Sequence, residues 1–145
     1  MAYKIIRKDN MAATSNGALI KSAKFFNGSD NAADVENGTI VSIGALLDGE
    51  REIHKVKAAT TTDTYVGIVC TPEVIYDQTG VGDTDLGNFK NGKDEVITVN
   101  VLAVGDIFSI ANEGAGADKK YANVTAKFLG TEKTGKLTYN VYEVQ

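Results

Sequence analysis

At 145 residues, 43% of them hydrophobic and 23% charged, the chain has the composition of one soluble globular domain with a sizeable core. Its single cysteine excludes an internal disulfide, and one histidine with one cysteine cannot fill the usual zinc ligand set. No apolar run reaches the ~18–20 residues that a membrane-spanning helix needs, and a formal charge of −4 excludes a generally basic nucleic-acid-binding surface.

The first residues, "MAYKIIRKDNMAATSNG", do not read as a secretion signal, because Arg7, Lys8, Asp9 and Asn10 break the apolar Tyr3–Ile6 at once. Synthesis and use inside a cell's cytoplasm is the expectation. Residues 1–29 hold five basic residues against one acidic, a net of +4, whereas residues 30–145 hold ten against eighteen, a net of −8. This asymmetry predicts an N-terminal arm and leading strand over 1–29, docking onto something acidic, ahead of a β domain over 30–145. Lysines that merely keep a flexible end soluble are the plain alternative. Removal of residues 1–15 is expected to leave the domain folded.

"YKIIR" reads as one short strand within an extended arm. "ALIKSAKFF" reads as a strand ending at the Asn27-Gly28 turn; a helix with Leu19, Ala23 and Phe26 on one face is the alternative. "NAADVENG" is a polar linker or a single helical turn. "TIVSIGALLDGE" alternates and is bracketed by the turn dipeptides Asn37-Gly38 and Asp48-Gly49, which predicts a strand. "REIHKVKAA" alternates again. "TYVGIVCTPEVIYD" is a near-continuous apolar strand pair, and Gly67 inside it signals a bulge or a close backbone approach. Cys70 belongs to this run and is expected to be buried; Pro72 ends it.

"QTGVGDTDLGNFKNGKD" is the longest loop. "EVITVNV" and "DIFSIA" then read as neighbouring strands of a small barrel, Val96–Leu102 and Ile107–Ala111, turned at Val104-Gly105-Asp106. "NEGAGADKK" reads as a loop. "YANVTAKFLG", the turn "TEKTGK" and "LTYNVYEV" close the chain. Leu137, Tyr139 and Val141 alternate, and the phase slips at Tyr142 and Val144, which predicts a bulge or a two-sided strand. Seven to nine short strands with turn signals between them, and no long amphipathic helix, predict an all-β barrel or sandwich.

The search for chemistry returns little. A Cys70–His54 nucleophile pair would place its thiol in an apolar run that buries and deactivates it. A Ser-His-Asp set would have to use His54 and has no nucleophile-elbow signature. "GVGDTD" and "NEGAGADKK" fail the phosphate-loop patterns. Glu50 with Glu52, or Asp94 with Glu95, are the paired carboxylates, in a chain with no Trp to platform a sugar. Asp83, Asp85 and Asn88 offer hard oxygen donors suited to calcium but lack EF-hand spacing, and a solvated acidic turn is the plainer account. No catalytic residue, metal or cofactor is assigned.

"DVENGTIVSIGALLDGE", then "YVGIVCTPEVIYDQ", then "LAVGDIFSIA" together resemble the small decoration, or cement, proteins that coat the heads of tailed bacteriophages. The resemblance spans about Asp34 to Ala111 and is sharpest at Val35–Gly44, Thr71–Asp77 and Leu102–Ser109. It implies a non-enzymatic virion protein on the capsid exterior, with the major capsid protein as partner and no nucleic acid or membrane. It also implies a homo-oligomer, with a trimer favoured, and an N-terminal arm that reaches neighbouring subunits. Under this reading the capsid-contact candidates are Tyr3, Ile5, Ile6, Arg7 and Lys8 on the arm, with Phe25 and Phe26 next. A head-fibre or tail component and a carbohydrate-binding β module, calcium-assisted at Asp83–Asn88, are the competing readings.

Overall fold

The alternation of side chains along each strand sorts the chain into two β layers. The computed structural model describes residues 3–72 and 90–145. Within them the strands are β1 (Ile5–Asn10), β2 (Ile20–Phe25), β3 (Ile40–Leu46), β4 (Ile53–Ala58), β5 (Val66–Val69), β6 (Ile97–Val101), β7 (Ile107–Ala111), β8 (Lys119–Lys120), β9 (Thr125–Thr134) and β10 (Leu137–Val144). One short helix, α1 (Ala12–Ser15), follows β1 and leads into a 3₁₀ turn at Gly17–Leu19. The protein is therefore all-β, as the alternation predicts.

Five strands close a barrel in the order β2-β4-β3-β5-β6, and five form a sheet in the order β1-β7-β10-β9-β8. In the barrel only β2 and β4 run parallel; β2 and β6 complete the closure antiparallel, with Ile20 opposite Asn100 and Ala23 opposite Ile97. Ala23, Val41, Ile43, Val56, Val69, Ile97, Val99 and Val101 fill the interior. These are small and β-branched side chains, the sizes that fit inside a narrow barrel.

A second core lies between barrel and sheet. Ile40, Val66, Ile68 and Cys70 supply the barrel side, and Phe108, Ile110, Ala126, Tyr142 and Val144 the sheet side. Phe108 and Tyr142 stack here with ring centroids 5.5 Å apart. Strand β5 thus faces apolar neighbours on both sides, which accounts for its unbroken apolar run. Gly67 on β5 is a close approach, as expected: a Cβ there would lie 2.6 Å from Val99 Cγ1 and 2.8 Å from the Asn100 carbonyl oxygen.

Several expectations change. β6 and β7 are not neighbours in a barrel: β6 is a barrel strand and β7 lies in the sheet between β1 and β10. The Val104-Gly105-Asp106 turn does form, closed by Asp106 N–H to the Ala103 carbonyl at 3.1 Å, with Gly105 at φ +97 as a type II turn requires. It carries the chain from one layer to the other. The segment 1–29 is woven into both layers from Ile5 onward, β1 pairing with β7 and β2 with β4 and β6. Ile5, Met11 and Ala13 are buried, so residues 5–15 belong to the folded body and removal of 1–15 strips one sheet edge.

"ALIKSAKFF" is a strand at its centre, not a helix. The loop "NEGAGADKK" ends in the two-residue strand β8, and β9 runs on through Gly130 to Thr134, so the hairpin turn is only Gly135 and Lys136. The slip read at Tyr142 is a bulge: Val141 pairs with Gly130 but Tyr142 with Phe128.

Candidate interaction surfaces

The side of the sheet facing away from the barrel carries an ordered polar and aromatic array. Register sets Ile5, Ala111 and Tyr139 in one row across β1, β7 and β10, and Arg7, Ser109 and Val141 in the next. Ile5, Ala111 and Tyr139 are buried together, flanked by Leu137. The Arg7 side chain lies over this row with its guanidinium carbon 4.7 Å from the Tyr139 ring centroid.

All faces of that guanidinium are engaged. Nε donates to Asp9 Oδ1 at 2.6 Å, Nη1 to Thr134 Oγ1 at 3.1 Å, and Nη2 to Ser109 Oγ at 3.2 Å and Glu132 Oε2 at 3.1 Å. Ser109 Oγ in turn donates to Asp9 Oδ2. Hydrogen bonding to Asp9, opposed by burial and reinforced by Glu132, holds the Arg7 pKa above its ordinary value. Arg7 is thus a fixed planar donor spanning β1, β7 and β9, with Tyr139 of β10 beneath it.

A second surface is a groove of about 330 Å³ where the chain enters β1. Tyr3, Phe25 and Val35 form its apolar walls, and Asp34 and Lys90 pair at 2.8 Å on its rim. The Lys90 ammonium stands 5.8 Å from the Tyr3 ring centroid. Glu36 anchors the segment by accepting the Lys4 backbone N–H at 3.1 Å. The Lys90 hydrogen bond lowers the Asp34 pKa, and Asp34 raises that of Lys90.

The contact candidates therefore divide. Tyr3 and Phe25 meet in this groove. Arg7 lies on the outer sheet face, on edge strand β1 with its guanidinium reaching across to β9, and Ile5 beside it is 3% exposed and offers no surface of its own. Ile6 packs toward the core between the layers, and Lys8, on the same side of β1, is exposed at its end. Phe26 stands elsewhere, bridged to Ala32, with the Lys55 ammonium 4.9 Å from its ring centroid. Sequence reasoning missed Asp9, Ser109, Glu132, Thr134 and Tyr139 as partners of Arg7. Alternation alone puts Asp9 beside Arg7 on β1, but only register across β1, β7, β10 and β9 brings the other four to it.

A half-buried carboxylate stands at the end of β7. Glu113 accepts from Tyr142 Oη and from Asn140 Nδ2 at 3.0 Å, and pairs with Lys119 Nζ at 2.8 Å. Burial alone would raise its pKa; the hydrogen bonds from Lys119, Tyr142 and Asn140 outweigh this and hold it below the ordinary carboxylate value. Burial, and then the bond to Glu113, pushes the Tyr142 phenol well above the ordinary tyrosine value.

The weighed chemical pairs take other roles. His54 Nδ1 lies 3.0 Å from the Gly44 carbonyl oxygen, which can only accept, so Nδ1 carries the proton. Cys70 is buried, in the core between the layers. Glu95 caps a turn by accepting the Gly92 N–H at 3.0 Å, and Glu50 and Glu52 are exposed beside the β3–β4 turn. The Asp83–Asn88 loop lies outside the described residues. Among the described residues no three His, Cys, Asp or Glu side chains group to hold a metal ion. Comparison with family models, with curated proteins and with solved structures finds no match to this chain.

Proposed function

We propose that the chain is a non-enzymatic structural protein that binds the outer surface of a phage capsid and stabilises it, with the major capsid protein as its partner. The motifs "DVENGTIVSIGALLDGE" and "LAVGDIFSIA" motivate this reading, and the outer face of the sheet carries it. That face presents Arg7, a residue type that dominates binding energy at protein interfaces, with the buried Tyr139 ring as its platform. Both are already locked by neighbours on four strands, so docking immobilises few side chains and loses little entropy.

Stabilisation follows physically. Two layers sharing a core resist local opening, and a face that buries area across adjacent capsid subunits ties them together. A specific interface buries about 1,200–2,000 Å² in total, repeated at every lattice position. The proposed assembly is a homotrimer on the capsid exterior.

The test is co-sedimentation with expanded, DNA-free shells. Arg7→Glu and Tyr139→Ala are used in place of an N-terminal deletion, because residues 5–13 are part of the folded body. Circular dichroism first establishes that each variant is folded. The expected result is at least a tenfold loss of decoration by folded Arg7→Glu, since a reversed charge at an interface centre costs several kcal/mol. Unchanged decoration would remove this face from the proposal.

A further inference from the structure

We propose that the outer wall of the barrel along β2 and β4 docks an extended acidic peptide segment of a partner protein, and that Asp30 fills its carboxylate position in the free protein. This wall is distinct from the Arg7–Tyr139 face, and the inference does not depend on a capsid.

In the parallel pairing of β2 and β4, Lys24 lies directly beside Lys55. Ala23 and Val56 point into the barrel, so alternation turns Lys24, Lys55 and Lys57 outward. Like charges on neighbouring strand positions oppose folding. Here three ammonium groups share one wall of a chain whose net charge is −4. Such a concentration against the overall charge is the pattern of a surface that receives an anion.

The protein itself shows which anion fits. The loop between β2 and β3 folds back and sets Asp30 Oδ1 between the two ammonium groups of β4, 3.1 Å from Lys57 Nζ and in direct contact with Lys55 Nζ. The loop is built for this delivery. The Asn27 side chain accepts the N–H groups of Ser29 and Asn31 at 3.0 and 3.1 Å. Asp30 adopts φ +64, a left-handed conformation uncommon outside glycine. The hydrogen bonds from Lys55 and then Lys57 lower the Asp30 pKa, so it stays ionised. Yet the Asp30 side chain is 57% exposed. Exposed ion pairs are weak and exchange readily, so an incoming carboxylate can take its place.

The neighbouring surface selects a peptide. Lys55 and Lys57 also border a groove of about 270 Å³ whose other walls are Ser42, Gly44, Ala45 and Leu46. Leu46 is 44% exposed there. One apolar side chain beside one carboxylate matches that pairing of groove and ammonium groups. A sugar–phosphate backbone would leave the apolar groove without use. The aromatic ring on this wall, Phe26, lies under Lys55 instead of open for base stacking.

Fluorescence anisotropy with a dye-labelled dodecapeptide of alternating Glu and Leu tests the proposal on the full chain. A Lys/Leu dodecapeptide and a twelve-nucleotide oligothymidine serve as comparison probes. All substitutions are at exposed or half-exposed positions, and thermal melts verify folding. The wild type is expected to bind the Glu/Leu peptide and Asp30→Ala to bind it about fivefold tighter, as removal of a weak exposed pair frees the site. Lys55→Ala with Lys57→Ala should weaken it at least tenfold. Equal affinity in all three proteins overturns the proposal, as does equal binding of the Lys/Leu peptide. Tighter, lysine-dependent binding of the oligothymidine overturns it in favour of a nucleic-acid surface.

Discussion

Asp106 is the side chain on which the passage between the two layers depends, and its replacement is the most informative stability test. It is 3% exposed. Its Oδ1 accepts the Ala12 N–H at the start of α1, and its Oδ2 accepts the Ala103 N–H of its own turn, both at 2.9 Å. Its carbonyl oxygen accepts from Val144 of β10 at 2.8 Å. Asp106→Ala removes the first two bonds and strands two backbone N–H groups in a largely closed site. Each hydrogen bond to a charged acceptor is worth about 1.5–3 kcal/mol, so the loss of two is about 3–6 kcal/mol, a large share of the roughly 5–15 kcal/mol that holds a domain together. Asp106→Asn keeps one acceptor oxygen and should lose about half as much. The chain has six Tyr and no Trp, so urea unfolding is best followed by far-UV circular dichroism and tyrosine fluorescence. With a urea slope near 2 kcal/mol per molar, the midpoint of Asp106→Ala should fall by about 2 M. A loss below about 1 kcal/mol, or an Asn variant as damaged as the Ala variant, would refute the argument.

Glu113 predicts an acid limb of stability. Its folded pKa is depressed, so its contribution is present above the ordinary carboxylate pKa and is lost as pH falls through the folded value; Glu113→Gln should flatten the stability profile below about pH 4.5. Tyr142 predicts the opposite limb: its folded pKa is raised, so its contribution is full below about pH 10 and is lost progressively as pH rises from there through the folded value, and Tyr142→Phe should weaken that alkaline loss in melts across pH 9–11. Gly67→Ala should cost about 1–3 kcal/mol, because the new methyl meets a backbone carbonyl of β6 as well as Val99, and a melting temperature within 1 °C of the wild type would count against the close approach. Cys70 should react with an aromatic disulfide reagent only as the native protein opens, and labelling at the rate of a free thiol would contradict its burial between the layers.

Most local features were legible before the structure. "EVITVNV" and "DIFSIA" announce strands because alternation reports a half-buried surface, and the Val104-Gly105-Asp106 turn announces itself through a glycine that accepts positive φ. The slip at Tyr142 marked a real bulge, and the small residue in "YVGIVC" marked a real close approach. The features that escaped are short or distant. β8 has two residues and α1 four, too few to show a period. Apart from Asp9 on the same strand, the hydrogen-bond partners of Arg7 lie on strands more than 100 residues away, and nothing in "IIRKDN" states which strand will lie beside it. The lead segment's positive charge suggested a reaching arm, but Ile5, Met11 and Ala13 weigh more than its lysines, because buried apolar area in contact with a core outweighs solvated charge.

By itself the sequence determined the all-β class, most strand positions, the turns and the burial of Cys70, since each depends on neighbours within a few residues. Tertiary structure alone decided that β6 closes a barrel while β7, after only five intervening residues, enters a separate sheet. An apolar alternation says only that one face must be covered. Whether the cover is a barrel interior or a facing sheet is set by long-range pairing, and here one buried carboxylate, Asp106, joins the two outcomes.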